Sequence, residues 1–426
     1  MTALLFIVGV LVMLVGLGLS IALHELGHIV PAKAFGVHVG QYMIGFGPRI
    51  WSKKMGETEY GFRALPLGGF ISIAGMYPPS STGKNPRLFA TLVQDAREQN
   101  DETIASAGER TLYRQATWKR VVVMLGGPFM NLVLAIIAFT VLLSGIGITQ
   151  ATATVASVSE CVLPAGSTQT SCGADDPLTP AAQSGLKPGD TITAIDGASV
   201  SNFDEASAIV REHPGDTLDV EIVRDGEPRT LAITPILATN QYTDAAGELV
   251  TDEVGFVGFS PLYARVRQPI LAGTEETFHN ISSVAGIIVH LPVTLYDTAV
   301  DLFSGNERDP DGPISVIGVG RIAGEVAATE APILDRVAVL VNLLGALNIA
   351  LMVFNLVPLL PLDGGHVIVA LWDGIKRLFA RITRRPAPAP ADATRLVPLT
   401  LVVVVLMVGM SALLFAADIF NPVDIF

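Results

Sequence analysis

His24-Glu25-Leu26-Gly27-His28 closes a run from Ala3 to Leu23 that contains no charged residue. Histidines four apart on a helix project from one face, one turn apart. That spacing lets both imidazoles reach a single Zn²⁺ at about 2.0–2.1 Å. Glu25 then stands beside the metal, placed to take a proton from its water. The pattern H-E-x-x-H thus carries a mechanism as well as a spelling. On a polar surface helix it would be a weak signal. Here it adjoins hydrocarbon-length apolar sequence, where ionisable groups are costly and functional by default.

Working outward, half of the 426 residues are hydrophobic and only 16% are charged, which places the chain with membrane proteins. Four uncharged runs reach the roughly 20 residues a spanning helix needs: Ala3–Leu23, Val121–Ile148, Val337–Leu362 and Leu396–Ala417. The first is not a cleavable signal peptide. It lacks a basic n-region, is too long, and runs into His24 rather than a small-residue cleavage site.

The net charge of −13 is unevenly spread. Residues 150–330 hold 8 Lys+Arg against 26 Asp+Glu, whereas 36–120 hold 11 Lys+Arg and 371–395 hold 6. Basic segments flanking spans mark the cytoplasmic side. With four spans, the N-terminus, residues 150–330 and the C-terminus lie outside and His24 lies toward the cytoplasm. The acidic soluble part excludes a nucleic-acid partner; the bilayer is the partner the composition demands. Cys161 and Cys172, the only cysteines, fall in the segment assigned outside, where disulfides are permitted. They form either a bridge closing a Pro/Gly/Ser/Thr-rich loop or two free thiols.

Residues 1–35 are expected to form the first spanning helix, with Pro31 as a kink or local break. Residues 36–117 begin with a glycine-rich stretch of short strands, turning at Gly56 and at Gly68-Gly69. Leu65–Ile71 is too apolar for an ordinary cytoplasmic loop. It reads either as a re-entrant β-hairpin whose edge at Leu67, Gly68, Gly69 and Phe70 pairs with a substrate strand, or as a small sheet packing on the helices. The rest of this region is a polar cytoplasmic loop with a helical portion.

The second span, 118–149, opens on the interfacial Trp118-Lys119-Arg120. Gly127 and Asn131 share one helix face there, for close packing or, in the case of Asn131, as scaffolding of an active site. Residues 150–262 read as an α+β domain. Its expected parts are a short helix at Pro180, a strand over Thr191–Ile195, a helix over Phe203–Glu212 and a hairpin of Leu218–Arg224 with Thr230–Thr234. That order resembles a PDZ domain of the permuted bacterial kind, which adds extended peptides to a sheet edge. Residues 263–330 look like an amphipathic linker, with a helix over 269–301 lying on the outer membrane surface. Its His279 and His290 show no metal-like spacing.

The third span, 331–370, ends in Asn355-Leu356-Val357-Pro358-Leu359-Leu360-Pro361-Leu362-Asp363-Gly364-Gly365-His366. Two prolines and two glycines break the helix where a carboxylate reaches membrane depth. A carboxylate there is expensive unless it sits on a cation. Catalytic zinc generally takes three protein ligands and leaves one position for water. His24 and His28 supply two and Asp363 the third; His366 is the runner-up. Asn355 either donates to a developing oxyanion or serves the helix itself. A basic cytoplasmic segment (371–395), a fourth span (396–418) and a tail (419–426) complete the chain.

With His24-Glu25-Leu26-Gly27-His28, a PDZ-like domain and Leu362-Asp363-Gly364-Gly365 in that order, the chain resembles the site-2 protease family. Within it, the likeness is to the bacterial regulator-of-sigma-E, or Rip-type, intramembrane zinc proteases. Gly45-Phe46-Gly47-Pro48, Pro66-Leu67-Gly68-Gly69-Phe70, Gly127-Pro128-Phe129-Met130-Asn131 and Gly312-Pro313-Ile314-Ser315 follow the family's order. Two departures stand out: Pro361 lies one place later than the family's second proline, and one PDZ-like unit is present rather than two.

The resemblance implies a polytopic α-helical membrane protein of about four spans, with a re-entrant β-hairpin region and an inserted extracytoplasmic PDZ-like α+β domain. It implies one Zn²⁺, the bacterial cytoplasmic membrane, and cleavage of a single-pass transmembrane substrate such as an anti-sigma factor, after a first cut outside. A PDZ-containing scaffold with a vestigial metal site is the rival reading; a transporter would require repeated halves, and none is present.

Overall fold

The computed structural model describes residues 2–78, 90–162, 172–173, 176–243, 249–306, 308–309, 312–386, 388–391 and 396–423. The chain divides into two compact units, Met1–Ile146 with Gln268–Phe426, and Gly147–Arg267.

The first helix, α1 (Thr2–Ala34), takes in the uncharged run and the two histidines. At 1.5 Å per residue its 33 residues extend about 50 Å, beyond the roughly 30 Å of a hydrocarbon layer. Met13, Leu17, Ser20, His24 and His28 recur at helical spacing on the buried face, while Leu4, Val15 and Val30 stay exposed. Pro31 has no N–H, so it cannot donate to the carbonyl of Gly27.

Strands β1 (Val39–Met55) and β2 (Thr58–Ile73) form one hairpin turning at Gly56, whose φ of +64° suits glycine. Pairing runs from Met55↔Thr58 to Trp51↔Phe62 near the turn, and from Ile44↔Gly69 to Val39↔Ile73 at the far end. Gln41–Ile44 also stand beside Glu59–Phe62. The hairpin is therefore bent back on itself, with the first half of β1 between the two halves of β2. Tyr42 and Tyr60 meet across this inner pairing at 5.5 Å between ring centroids. Gly68 and Gly69 do not make the turn expected of them. They lie inside β2, where a Cβ on Gly68 would come within 2.0 Å of the Phe46 ring; here glycine serves close approach instead of reversal.

After α2 (Ala90–Ala107) comes α3 (Thr117–Thr140), prolonged by a π turn over Val141–Ile146. It runs antiparallel to α1, bringing Val123 to His28 and Asn131 to His24. The two helices touch backbone to backbone. A Cβ on Gly27 would lie 2.2 Å from the carbonyl of Gly126, and one on Gly126 would lie 2.1 Å from the carbonyl of Gly27. Small residues at such a crossing are what lets membrane helices approach closely.

The second unit contains β3 (Ile148–Val158), α4 (Pro180–Ser184), β4 (Thr191–Ile195), β5 (Ala198–Ser199), α5 (Phe203–Glu212), β6 (Leu218–Arg224), β7 (Glu227–Ile233), β8 (Ile236–Thr243), β9 (Leu249–Phe256) and β10 (Phe259–Val266). The main sheet has the order β10-β3-β4-β6-β7, with β5 on β4; β8 and β9 pair as a hairpin that the sequence reading does not anticipate. Leu218, Val220 and Ile222 of β6 alternate inward onto Val155, Ile192, Ile195 and Ile233. Thr179 caps α4 by accepting from Ala182 N–H, and Asn202 caps α5 by accepting from Glu205 N–H.

The first unit resumes with α6 (Ala272–Ser304), α7 (Val316–Ala328), α8 (Ile333–Asn355), α9 (Asp363–Ile382) and α10 (Val397–Phe420). Among the described residues, five helices are long and apolar enough to cross a membrane: α1, α3 with its π turn, α6, α8 and α10. Gly273 of α6 packs on Thr140, at the far end of α3 from Arg120, and Arg308, four residues past Ser304, pairs with Asp418 in the last turn of α10. The start of α10 lies near the opposite end, because Ala391 N–H donates to Asp373, which pairs with Arg120. The mean hydropathy of α6, 1.4, puts it among the candidate crossings, where the sequence reading expects a segment lying on the membrane surface.

Candidate metal centre

Helical geometry alone brings His24 and His28 together, but the ring orientations are set by α3. His28 donates Nδ1–H to the carbonyl of Val123 at 2.8 Å, which leaves Nε2 as a lone pair. Asn131, wholly buried, turns its carboxamide to Nδ1 of His24 at 3.0 Å. Its nitrogen faces the ring and its Oδ1 has no partner. Turned about its last bond, the same amide accepts from Nδ1–H and frees Nε2 of His24 for a metal.

Asp363 arrives from a break in sequence continuity. Helix α8 stops at Asn355, residues 356–362 turn with Pro358 and Pro361 among them, and α9 opens on Asp363. The two glycines that follow allow this tight re-entry. A Cβ on Gly364 would lie 2.4 Å from Leu356 O, and one on Gly365 would lie 2.5 Å from Leu360 N.

Three ligand atoms converge. Nε2 of His24 and Nε2 of His28 are 3.3 Å apart, and Oδ2 of Asp363 lies 3.4 Å and 3.3 Å from them. Atoms held at 2.0–2.2 Å on a tetrahedral metal are separated by about 3.4 Å, so the donor set fits Zn²⁺. Oδ2 is also buried and accepts no hydrogen bond, as a carboxylate awaiting a cation would. These three residues are the one group of His, Cys, Asp or Glu among the described residues that can hold a metal ion.

Glu25 is half-buried beside them on α1, under β2: a Cβ on Gly69 would touch Glu25 Cγ at 3.1 Å. Tyr42 of β1 ties the hairpin to α1 by donating to Ala22 O at 2.9 Å.

The profile of peptidase family M50 matches residues 12–387. The chain belongs to that family, the site-2 proteases. It is 32% identical over 434 residues to the zinc metalloprotease Rip1 of Mycobacterium tuberculosis H37Rv, covering 99% of each chain. Rip1 of Mycolicibacterium smegmatis is 31% identical over 438 residues, again 99% of each. The zinc metalloprotease RasP of Oceanobacillus iheyensis is 27% identical over 414 residues, 84% of this chain and 89% of that one. This M50 peptidase is a multi-pass bacterial membrane metalloprotease, and zinc is the metal its relatives are named for.

The other sequence-derived candidates fall around this peptidase's centre in different ways. His366, one turn past Asp363, stacks its ring near Tyr77 at 5.8 Å and is not one of the converging donors. Asn355 donates its amide to Leu351 O at 2.9 Å, four residues back on its own helix. Gly68, Gly69 and Phe70 lie on the second half of β2, whose outer edge has no strand partner among the described residues. The Leu67 side chain lies outside the described residues. Cys161 and Cys172 are bonded, with Cα atoms 5.9 Å apart.

Two placements go beyond the sequence reading, which gives Gly127 a role in close packing and assigns Ser20 none. Gly127 lines the centre: a Cβ there would fall 2.2 Å from Nε2 of His28 and 2.7 Å from Nε2 of His24. Ser20, one turn before His24, accepts from Asn348 Nδ2 at 3.0 Å, tying α1 to α8 through a buried polar pair. Both signals were in the sequence, as a glycine beside another glycine and as single polar residues in apolar helices. Neither names its partner.

Proposed function

We propose that this M50 peptidase hydrolyses a peptide bond within a transmembrane protein, with one Zn²⁺ held by His24, His28 and Asp363 and Glu25 as the general base. The observation that carries this reading is the spacing of the three donor atoms, 3.3–3.4 Å apart at the end of an apolar helix. Zinc, when bound, polarises the scissile carbonyl and lowers the pKa of its water to about 7. Glu25 accepts a proton from the attacking water and passes it to the leaving amine. Val123 O accepts from Nδ1–H of His28, and Asn131, with its carboxamide turned so that Oδ1 accepts from Nδ1–H of His24, would present both Nε2 atoms to the metal.

A helical substrate hides its carbonyls in its own hydrogen bonds, so it must be extended before attack. The second half of β2 supports that step, because its outer edge at Gly68–Phe70 runs past Glu25 and can add an extended strand. The second unit reads as a single PDZ-like domain outside the cytoplasm that selects or excludes substrate tails. Read with four crossings and the basic loops inside, the chain has its N-terminus and that unit outside and the metal toward the cytoplasm. Asn355 remains a candidate donor to the oxyanion. A single-pass, anti-sigma-factor-like protein already cut outside is the substrate this arrangement suits.

The test compares purified wild type with Glu25→Gln, His24→Ala and Asp363→Ala for zinc content and for cleavage of a transmembrane peptide. Glu25→Gln should keep one zinc per chain and lose about 10²–10⁴-fold in rate. The other two should lose zinc. Full zinc in Asp363→Ala would remove that residue from the ligand set, and undiminished function in Glu25→Gln would favour a scaffold.

A further inference from the structure

Helix α9 is apolar on the side turned away from the protein. Ile368 and Leu371, then Trp372, Ile375, Leu378, Phe379 and Ile382, are between 47% and 71% exposed. At 100° per residue they occupy an arc of about 120°. The opposite side is the one that packs. Ala370, Asp373 and Ala380 are buried, Asp373 pairs with Arg120 of α3 at 2.9 Å, and a Cβ on Gly374 would touch Thr117. A water-exposed helix shows the reverse pattern.

Two exposed tryptophans flank the Arg120–Asp373 pair. Trp118 follows Thr117 and is 58% exposed; Trp372 precedes Asp373 and is 57% exposed. Paired through Arg120–Asp373, they stand at one level, the position of interfacial aromatic anchors. Yet α9 runs ten residues past Trp372, about 15 Å, and keeps its apolar arc throughout. The following segment covers the polar side instead. Ala391 N–H donates to Asp373 and Lys376 Nζ donates to Ala389 O.

Charge identifies what covers the apolar side. From Gly364 to Ala391 the sole acid is Asp373, already engaged by Arg120 and Lys376, against Lys376, Arg377, Arg381, Arg384 and Arg385. In a chain of net charge −13 this is a local reversal. Arg381, Arg384 and Arg385 are exposed, flank the end of the arc and make no ion pair among the described residues. An apolar arc bordered by arginines fits the boundary between acyl chains and anionic headgroups.

We infer that the second half of α9 is an interfacial helix that binds anionic lipid. Ile375, Leu378, Phe379 and Ile382 lie among acyl chains, and Arg381, Arg384 and Arg385 hold headgroup phosphates. The same helix begins at Asp363, so lipid grips the far end of the element that delivers this carboxylate.

The test uses the full chain in nanodiscs of phosphatidylcholine with phosphatidylglycerol. Its own cysteines are bridged, so single cysteines at Ile375, Phe379 and Arg377 can each carry an environment-sensitive fluorophore. Labels at Ile375 and Phe379 should be quenched by brominated acyl chains, and the label at Arg377 by iodide. Phosphatidylglycerol retained per chain should fall several-fold in the triple variant R381E/R384E/R385E, with metal content unchanged as the check on folding. Iodide quenching at Ile375 and Phe379 would place the arc in water and overturn the proposal. Shielding from both quenchers that disappears in single-copy nanodiscs would assign the face to a second chain. Undiminished phosphatidylglycerol in the triple variant would remove the headgroup site.

Discussion

Gly127 and His28 are so close that a Cβ on the glycine would lie 2.2 Å from Nε2 of the imidazole. This candidate ligand nitrogen is pressed against the backbone of the neighbouring helix, and Gly126 meets the backbone of Gly27 one turn-quarter away. The candidate metal centre is therefore shaped by the absence of side chains on α3 as much as by the histidines on α1.

Gly127→Ala should displace both imidazoles and cost most of the bound zinc, while Gly18→Ala, with nothing within 4 Å of its Cβ, should keep it. Zinc per chain after dialysis decides the matter. Equal retention by the two variants would mean that the α1–α3 crossing yields without disturbing the donors.

Gly69→Ala acts on the other side of the site. Its Cβ would press on Glu25 Cγ at 3.1 Å, a contact that moves the carboxylate without touching a ligand. Zinc should stay and the catalytic rate should fall, by up to about 10²-fold for an ångström of misplacement. A variant losing metal and rate in parallel would show that β2 supports the ligands instead.

Arg120 and Asp373 are both nearly inaccessible and pair at 2.9 Å. Removing one partner strands the other, so Asp373→Ala should cost about 3–5 kcal/mol in thermal or denaturant unfolding. Replacing both, as Arg120→Met with Asp373→Leu, should recover most of that loss. Additive losses in the double variant would mean that the pair itself is not the source of the stability.

Acid should loosen the second unit through Asp190. Burial raises its carboxyl, but two hydrogen bonds from Arg224 at 2.7 Å and one from the Lys187 N–H outweigh burial and hold it below the ordinary carboxylate range. A depressed carboxylate contributes its stability above the unfolded value, about 3.9, and loses it as pH falls through the lower folded value. Protection of the Lys187 amide, taken against its intrinsic exchange rate at each pH, should therefore fall at acid pH in the wild type. Asp190→Asn should show that lower protection already at neutral pH; a variant matching the wild type at every pH would exclude Asp190 as the group responsible.

Much of this was legible because it is local. The i, i+4 spacing of His24 and His28, the uncharged length of four helices and the strand-helix-strand order of residues 180–233 depend on neighbours in sequence. Glycine was the ambiguous residue. Gly56 turns the hairpin as read, whereas Gly68 and Gly69 look the same in sequence and lie within a strand, because the Phe46 ring and Glu25 come too close for a Cβ.

By itself, then, the sequence determined that this chain is a membrane protein with a zinc-type donor pair on its first helix and a carboxylate at a broken helix end. Helical periodicity and the cost of charge in hydrocarbon act along the chain and can be read from it. Only the tertiary structure decided that Asp363 closes the donor set while His366 turns toward Tyr77, that Asn131 and Val123 orient the rings, and that β2 lies over Glu25. It also gave α6 its contacts, Gly273 on Thr140 and, just past Ser304, Arg308 on Asp418. Those outcomes depend on which backbones can approach across the bundle, and that is fixed by packing between residues up to several hundred positions apart.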